Sequence, residues 1–238
     1  MRTRTIASVV LAGLALVWAP VVPGNARAQE KPKVQVQIPQ PGVPEVMTME
    51  GKFVRAAYNN EGYVILGYQA SNRSVGEEWM MIEFGVALRD GVPNYTFKRD
   101  AVSLELPDGK TLPLPTIMEH REGDTRAIEN RAKVQRDSIN YFPPNASQAC
   151  GVVFFPHLES RALPRDEFEL SDQRACVGRL FFKIPGGITY GQHWLNVKFA
   201  QSLIRVPFRI LTEEEETLLS KNYKDISKQV EDAFRKKK

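Results

Sequence analysis

The 238 residues include only two cysteines and three histidines, and that scarcity limits the chemistry open to the chain. His120, His157 and His193 fall in neither His-x-x-x-His nor His-Glu-x-x-His spacing. The nearest approach to a ligand set, His157 with Glu159 on one loop, is a weak metal signal. No metal and no other cofactor is expected. Cys150 and Cys176 stand too far apart for a Cys-x-x-Cys redox pair. The Gly-x-Ser-x-Gly elbow of serine hydrolases is missing, and Ser, His and Asp are scattered without a triad signature. Gly186, Gly187 and Gly191 are not followed by the Lys-Ser/Thr of a phosphate-binding loop, so they read as turn residues. A repeat of fixed period is also lacking, which disfavours solenoids and propellers. These absences point to a protein that is not an enzyme.

Charge of one sign is lacking too, once the first stretch is set aside. Residues 1–28 read as a secretory signal peptide. Arg2 and Arg4 form a positive start, residues 6–18 a short apolar run, and Ala26-Arg27-Ala28 a cleavage site after Ala28. Arg2 and Arg4 are not adjacent, so the twin-arginine route lacks its pair. No cysteine near the site offers a lipid anchor. Three of the 32 basic residues leave with this segment and none of the 28 acids does, so the remainder is close to neutral. A near-neutral chain has no general attraction for nucleic acid or an anionic membrane. With no second long apolar run, no integral membrane segment is expected after cleavage. The signal style points to a bacterial periplasmic or secreted protein. In such an oxidising setting an even cysteine count favours a Cys150–Cys176 disulfide. Closing that loop would contribute roughly 3–4 kcal/mol in the chain-entropy model.

What is present is alternation. Residues 29–45 hold four prolines and read as an extended linker. Residues 46–211 form the β domain. Strands are predicted over residues 52–58, 63–70, 79–89, 101–106, 111–114 and 150–156, and three more over residues 177–211. In WMMIEFGVALR, Ile82, Phe84, Val86 and Leu88 share one face, and Glu83, Gly85, Ala87 and Arg89 the other. Residues 119–137 are crowded with charge, and Asp124 can cap a short surface helix over residues 125–135. The basic set there is Arg121, Arg126, Arg131, Lys133 and Arg136. It interleaves with acids, which favours a solvated face over an anion-binding patch. Residues 157–175 read as a long loop tied at its base by the cysteines. Asn72-Arg73-Ser74 and Asn145-Ala146-Ser147 match the glycosylation sequon by accident.

Residues 212–238 read as a helix with a Thr212/Glu215 capping box and acids in its first turn. Leu219, Tyr223, Ile226, Val230 and Phe234 make one apolar stripe. Three coverings are open to it: the chain's own sandwich, a partner, or a membrane surface, the last disfavoured by the narrow stripe and the acids on the polar face. That partner would be another envelope protein or a second copy, with the helix as docking element. Trp79, Tyr190 and Trp194 either line a carbohydrate or peptide groove or belong to the core and rim.

Three stretches carry a likeness: YVILGYQASNRS, FGVALRDGVPNY and GRLFFKIPGG. With them, residues 52–211 resemble the exported bacterial immunoglobulin-like sandwiches of the telokin-like type, many of them domains of unknown function. The resemblance implies a fold and an extracytoplasmic setting, and carries over no catalytic residues. The charged insertion and the 157–175 loop depart from that pattern, as does the lack of a tryptophan between the cysteines. The expectation is therefore an all-β, immunoglobulin-like antiparallel β-sandwich of about eight strands, with a short helical insertion and a C-terminal α-helix. Its expected role is that of a non-enzymatic exported binding or assembly module. The alternatives are a carbohydrate-active or other hydrolase on the same scaffold, with His157 or His193 beside a carboxylate, and a structural envelope component.

Overall fold

A computed structural model describes residues 46–155 and 163–235; the expected signal peptide and linker, and the His157/Glu159 pair, lie outside them. In chain order the strands are β1 (Val46–Met49), β2 (Val54–Tyr58), β3 (Gly62–Gly67), β4 (Trp79–Leu88), β5 (Tyr95–Lys98), β6 (Val102–Glu105), β7 (Thr111–Pro113), β8 (Gln148–Val152), β9 (Glu167–Leu170), β10 (Arg174–Lys183), β11 (Gly191–Lys198) and β12 (Leu203–Ile210). The helices are α1 (Gln69–Asn72), α2 (Ile117–Glu122), α3 (Arg126–Val134) and α4 (Glu213–Arg235).

The strands form a six-stranded sheet ordered β1-β2-β3-β4-β10-β8, a four-stranded sheet ordered β12-β11-β6-β7, and the ribbon β5-β9. The result is a β-sandwich-like fold closed by a C-terminal helix. One core joins the two larger sheets. Val64, Leu66, Ile82, Phe84, Val86, Leu180 and Phe182 meet Leu104, Leu195, Val197, Ile204, Val206 and Phe208. These are the alternate positions read from the period of two, and burying them is the main favourable term in folding. The chain passes from one sheet to the other at Gly186 and Gly187, both with positive φ. A Cβ on Gly187 would lie 2.5 Å from the Gly76 carbonyl oxygen, so the turn needs glycine on two counts.

Several expectations are corrected. Twelve strands lie among the described residues, against the eight or so expected, and the sandwich is not wholly antiparallel: β8 pairs parallel with β10. The disulfide joins residues directly opposite each other in that parallel pair, with Cα atoms 4.2 Å apart. The 157–175 stretch is not one loop. It carries β9, which pairs with β5, and the start of β10. Residues 63–70 do not stay extended. The strand ends at Gly67 and the chain turns into α1, where the Ser71 hydroxyl bonds both the N–H and the carbonyl of Met81. That side chain takes the backbone partners a longer strand would have used. Two helices replace the one expected insertion helix. α2 has a capping box of Thr116 with Glu119. α3 does not lie free on the surface, because Ile128 and Ala132 are buried.

Every residue of β4 is buried, so the outer face of the six-stranded sheet is covered as well. Trp79 and Phe181 lie under α2 and Phe155, with His120 of α2 packed against both rings. Six residues along β4 from Trp79, Ile139 and Phe142 sit over Gly85, where a Cβ would lie 2.6 Å from the Phe142 ring. Asp137 sits over Gly67, where a Cβ would lie 2.5 Å from its own Cβ. The segment 137–142 is therefore a strap seated in space left by two glycines. Val54, Ile65 and Ile139 form a second small core beneath it. Replacing Gly85 by Ala should cost about 1–3 kcal/mol by overpacking. Gly151→Ala should be near neutral, since its Cβ would meet nothing closer than Val153 at 3.6 Å. Denaturant midpoints of the two variants check this, and equal losses would contradict it.

Candidate functional site

Between its two covers the outer face of the sheet carries charge. Glu83 of β4 stands opposite Gly67 on one side and Arg179 of β10 on the other. It is only 4% exposed, yet it belongs to an otherwise apolar strand. A buried carboxylate needs compensation, since desolvation alone would cost several kcal/mol. Arg179 supplies it, donating from Nε to Glu83 Oε1 at 3.1 Å. Arg136, at the end of the α3 segment, brings its Nε within 4.0 Å of the same oxygen while staying largely exposed.

These groups line a cleft of about 600 Å³, walled by residues 136–140 on one side and by Val177, Gly178 and Arg179 on the other. Ser138 and Asn140 add polar atoms at the strap edge, and Ile139 and Val177 add apolar surface. A cleft with a few convergent polar groups is the default place to look for ligand binding. Asp137 anchors the strap by accepting a hydrogen bond from the Gln69 N–H at 2.8 Å. Burial pushes its carboxyl up to about 6, and nearby Glu83 pushes the same way. The Gln69 bond and the charge of Arg55 oppose the rise without cancelling it.

The Glu83 carboxylate is tied to the Arg179 guanidinium. The serine of the cleft, Ser138, has no histidine among the cleft's lining residues to activate it. Among the described residues no group of three or more His, Cys, Asp or Glu is placed to hold a metal ion. A second cleft, of about 410 Å³, has Arg99 in its floor. That guanidinium is committed to the carbonyls of Phe154 and Pro115, the ring of Phe155 and the carboxylate of Asp166. It holds loops together.

The residues singled out from sequence are dispersed. Trp79 is 4% exposed in the six-stranded sheet. Trp194 is on the four-stranded sheet beneath Arg205, 4.9 Å from its ring, and Tyr190 projects from the preceding turn, 52% exposed. The three line neither cleft, so the groove they suggested does not form there. Leu219, Ile226, Val230 and Phe234 are buried within the chain's own core, and the half-buried Tyr223 donates its hydroxyl to the Met49 carbonyl at 2.6 Å. The stripe is thus covered by the chain itself. The helix is pinned by its capping box and by Glu216, which takes both Arg73 Nη atoms at 2.6 and 2.7 Å. As a docking element it would first have to leave its own sheet.

The basic set divides. Arg126 pairs with Asp124, Arg131 clamps Glu77 with two bonds, and Arg136 alone reaches the cleft. His193 is fully buried, stacked on Phe208, with Nδ1 3.0 Å from the Gly191 carbonyl. Burial holds its basicity below the usual imidazole range, and among the described residues no carboxylate hydrogen-bonds it. Asn72 is buried and accepts the Leu211 N–H at 2.6 Å, which fits a structural rivet and not a glycosylation site. Sequence reasoning passed over Glu83, Asp137 and Arg179. The available signal was one acid inside an apolar strand, matched by one arginine at the same phase of another.

The raised carboxyl of Asp137 has a consequence for stability. The folded chain holds this proton more tightly than the unfolded chain, whose Asp titrates near 4. Its favourable contribution is therefore complete below about pH 4 and is lost as pH rises through about 6. Asp137→Asn keeps an acceptor for Gln69 and removes the ionisation. We expect it to be more stable than the parent by about 1–2 kcal/mol at pH 7.5, after allowing for partial exposure. The gain should shrink towards pH 4.5. Denaturant unfolding at the two pH values checks this, and a gain that grows on acidification would contradict it. No protein-family model matches the chain, and neither a curated protein nor a solved structure matches it.

Proposed function

We propose that the chain is a non-enzymatic exported binding module on an immunoglobulin-like sandwich, working in the periplasm or outside the cell. Its ligand site is the cleft between residues 136–140 and β10. The observation that carries this reading is the buried Glu83 held by Arg179 at the floor of an open cleft. Nothing in packing alone calls for a charge pair under a cavity, and replacing such a pair by apolar residues is often neutral or stabilising. The disulfide and the positive-apolar-small order of residues 1–28 support the exported setting. The C-terminal helix contributes by closing the fold, since its apolar stripe is covered by the chain's own strands.

Backbone-amide chemical shifts under a panel of amino acids, sugars, carboxylates and polyamines test the assignment. The expected result is that whichever ligand binds perturbs Glu83, residues 136–140 and residues 177–179. Perturbations confined to other surfaces would overturn the site. Turnover of chromogenic glycosides or esters, abolished by Glu83→Gln, would overturn the non-enzymatic reading.

A further inference from the structure

The cleft's charges define a ligand class. Arg179 uses only Nε on Glu83, and none of its Nη atoms donates to a protein acceptor among the described residues. Arg136 approaches Glu83 only at 4.0 Å and makes no closer ion pair or hydrogen bond among the described residues. Two guanidiniums thus converge on one carboxylate with most of their donors unspent. A guanidinium has five N–H groups in a planar fork that fits the two oxygens of a second carboxylate.

The geometry points to a binding site for a monocarboxylate, either a free small acid or the C-terminus of a peptide, held between the Nη groups of Arg136 and Arg179 with its body against Ile139 and Val177. This rests on the cleft being the ligand site. Charge counting selects the class. While Asp137 of the same cleft is protonated, two arginines and Glu83 leave one positive charge, which a monoanion balances and a doubly charged phosphate exceeds. Ser138 and Asn140, at the cleft edge, offer further hydrogen bonds to an oxyanion or a peptide group.

Asp137 then sets the pH response. The groups that face it are Gln69 through its N–H, Glu83 and Arg55, with Arg136 next to it in sequence and the buried Tyr68 close enough to feel its charge. When Asp137 is ionised the positive charge of the cleft is cancelled. When it is protonated the charge is available. An anion therefore binds with uptake of a proton, and affinity falls as pH rises through about 6.

The test is calorimetric titration of the purified protein with propionate, with a blocked tripeptide bearing a free C-terminal carboxylate, and with the same tripeptide as its amide. The peptide acid, or propionate, should bind while the amide does not. Which of the two binds distinguishes peptide end from free acid. Affinity should weaken about tenfold or more between pH 5.5 and 8, and Asp137→Asn should flatten that dependence. Arg136→Gln, at an exposed position that folding tolerates, should weaken binding about tenfold or more. Arg179→Gln should do at least as much if it folds. Equal binding of acid and amide, or affinity that rises with pH, would overturn the carboxylate assignment. If neutral ligands perturb the same cleft and carboxylates do not, the binding-module reading stands and the carboxylate assignment alone falls. If no class perturbs it, both fall.

Discussion

Two glycines on the outer face of the six-stranded sheet leave the space that the strap occupies, and the site depends on that vacancy. Gly67 admits Asp137 and Gly85 admits Phe142 and Ile139. With a side chain at either position, residues 137–142 would be lifted from the sheet, and the wall of the cleft would lift with them. Ordering an irregular segment of this kind opposes folding by roughly 1–2 kcal/mol per residue. Burial of Ile139 and Phe142 against Val54, Ile65 and Val177 offsets part of that. The Asp137 bond to Gln69 fixes the end that enters the cleft.

The same sheet shows why a charge pair survives in an otherwise apolar layer. Trp79 and Phe181 are covered from one side by α2 and Phe155, and Gly85 and Val177 from the other by the strap. Glu83 and Arg179 occupy the outward positions between the two covers. An apolar pair there would close the gap and extend the core. A hydrogen-bonded ion pair keeps it open and polar, at a cost in desolvation that the Nε–Oε1 bond returns in part. The disulfide lies on the inner phase of β10, three residues from Arg179, and ties β8 to the strand that forms the far wall.

Much of the fold was legible in the sequence because burial imposes a period of two. Ile82, Phe84, Val86 and Leu88 face the core as their alternation required, as do Leu195, Val197, Ile204 and Val206. The capping boxes are local and show the same directness: Thr212 with Glu215 forms as the spacing implied. What was not legible depends on long-range pairing. That β8 runs parallel to β10 is set by a connection that leaves the sheet, and alternation carries no direction. The end of β3 was hidden because Tyr68 and Ala70 look like strand residues, and only the Ser71 bonds to Met81 reveal the turn. The candidate site was the least legible. Glu83, Asp137 and Arg179 lie on three separate segments, and none belongs to a motif of fixed spacing.

Complementarity with the glycine gap holds the strap, and a double-mutant cycle between Gly85→Ala and Phe142→Ala measures that coupling. If the ring fills the space that Gly85 leaves, removing it should relieve the clash. The two losses would then fall short of additivity by about 1 kcal/mol or more. Losses that add within about 0.5 kcal/mol would mean that strap and sheet are energetically independent, and would contradict the account.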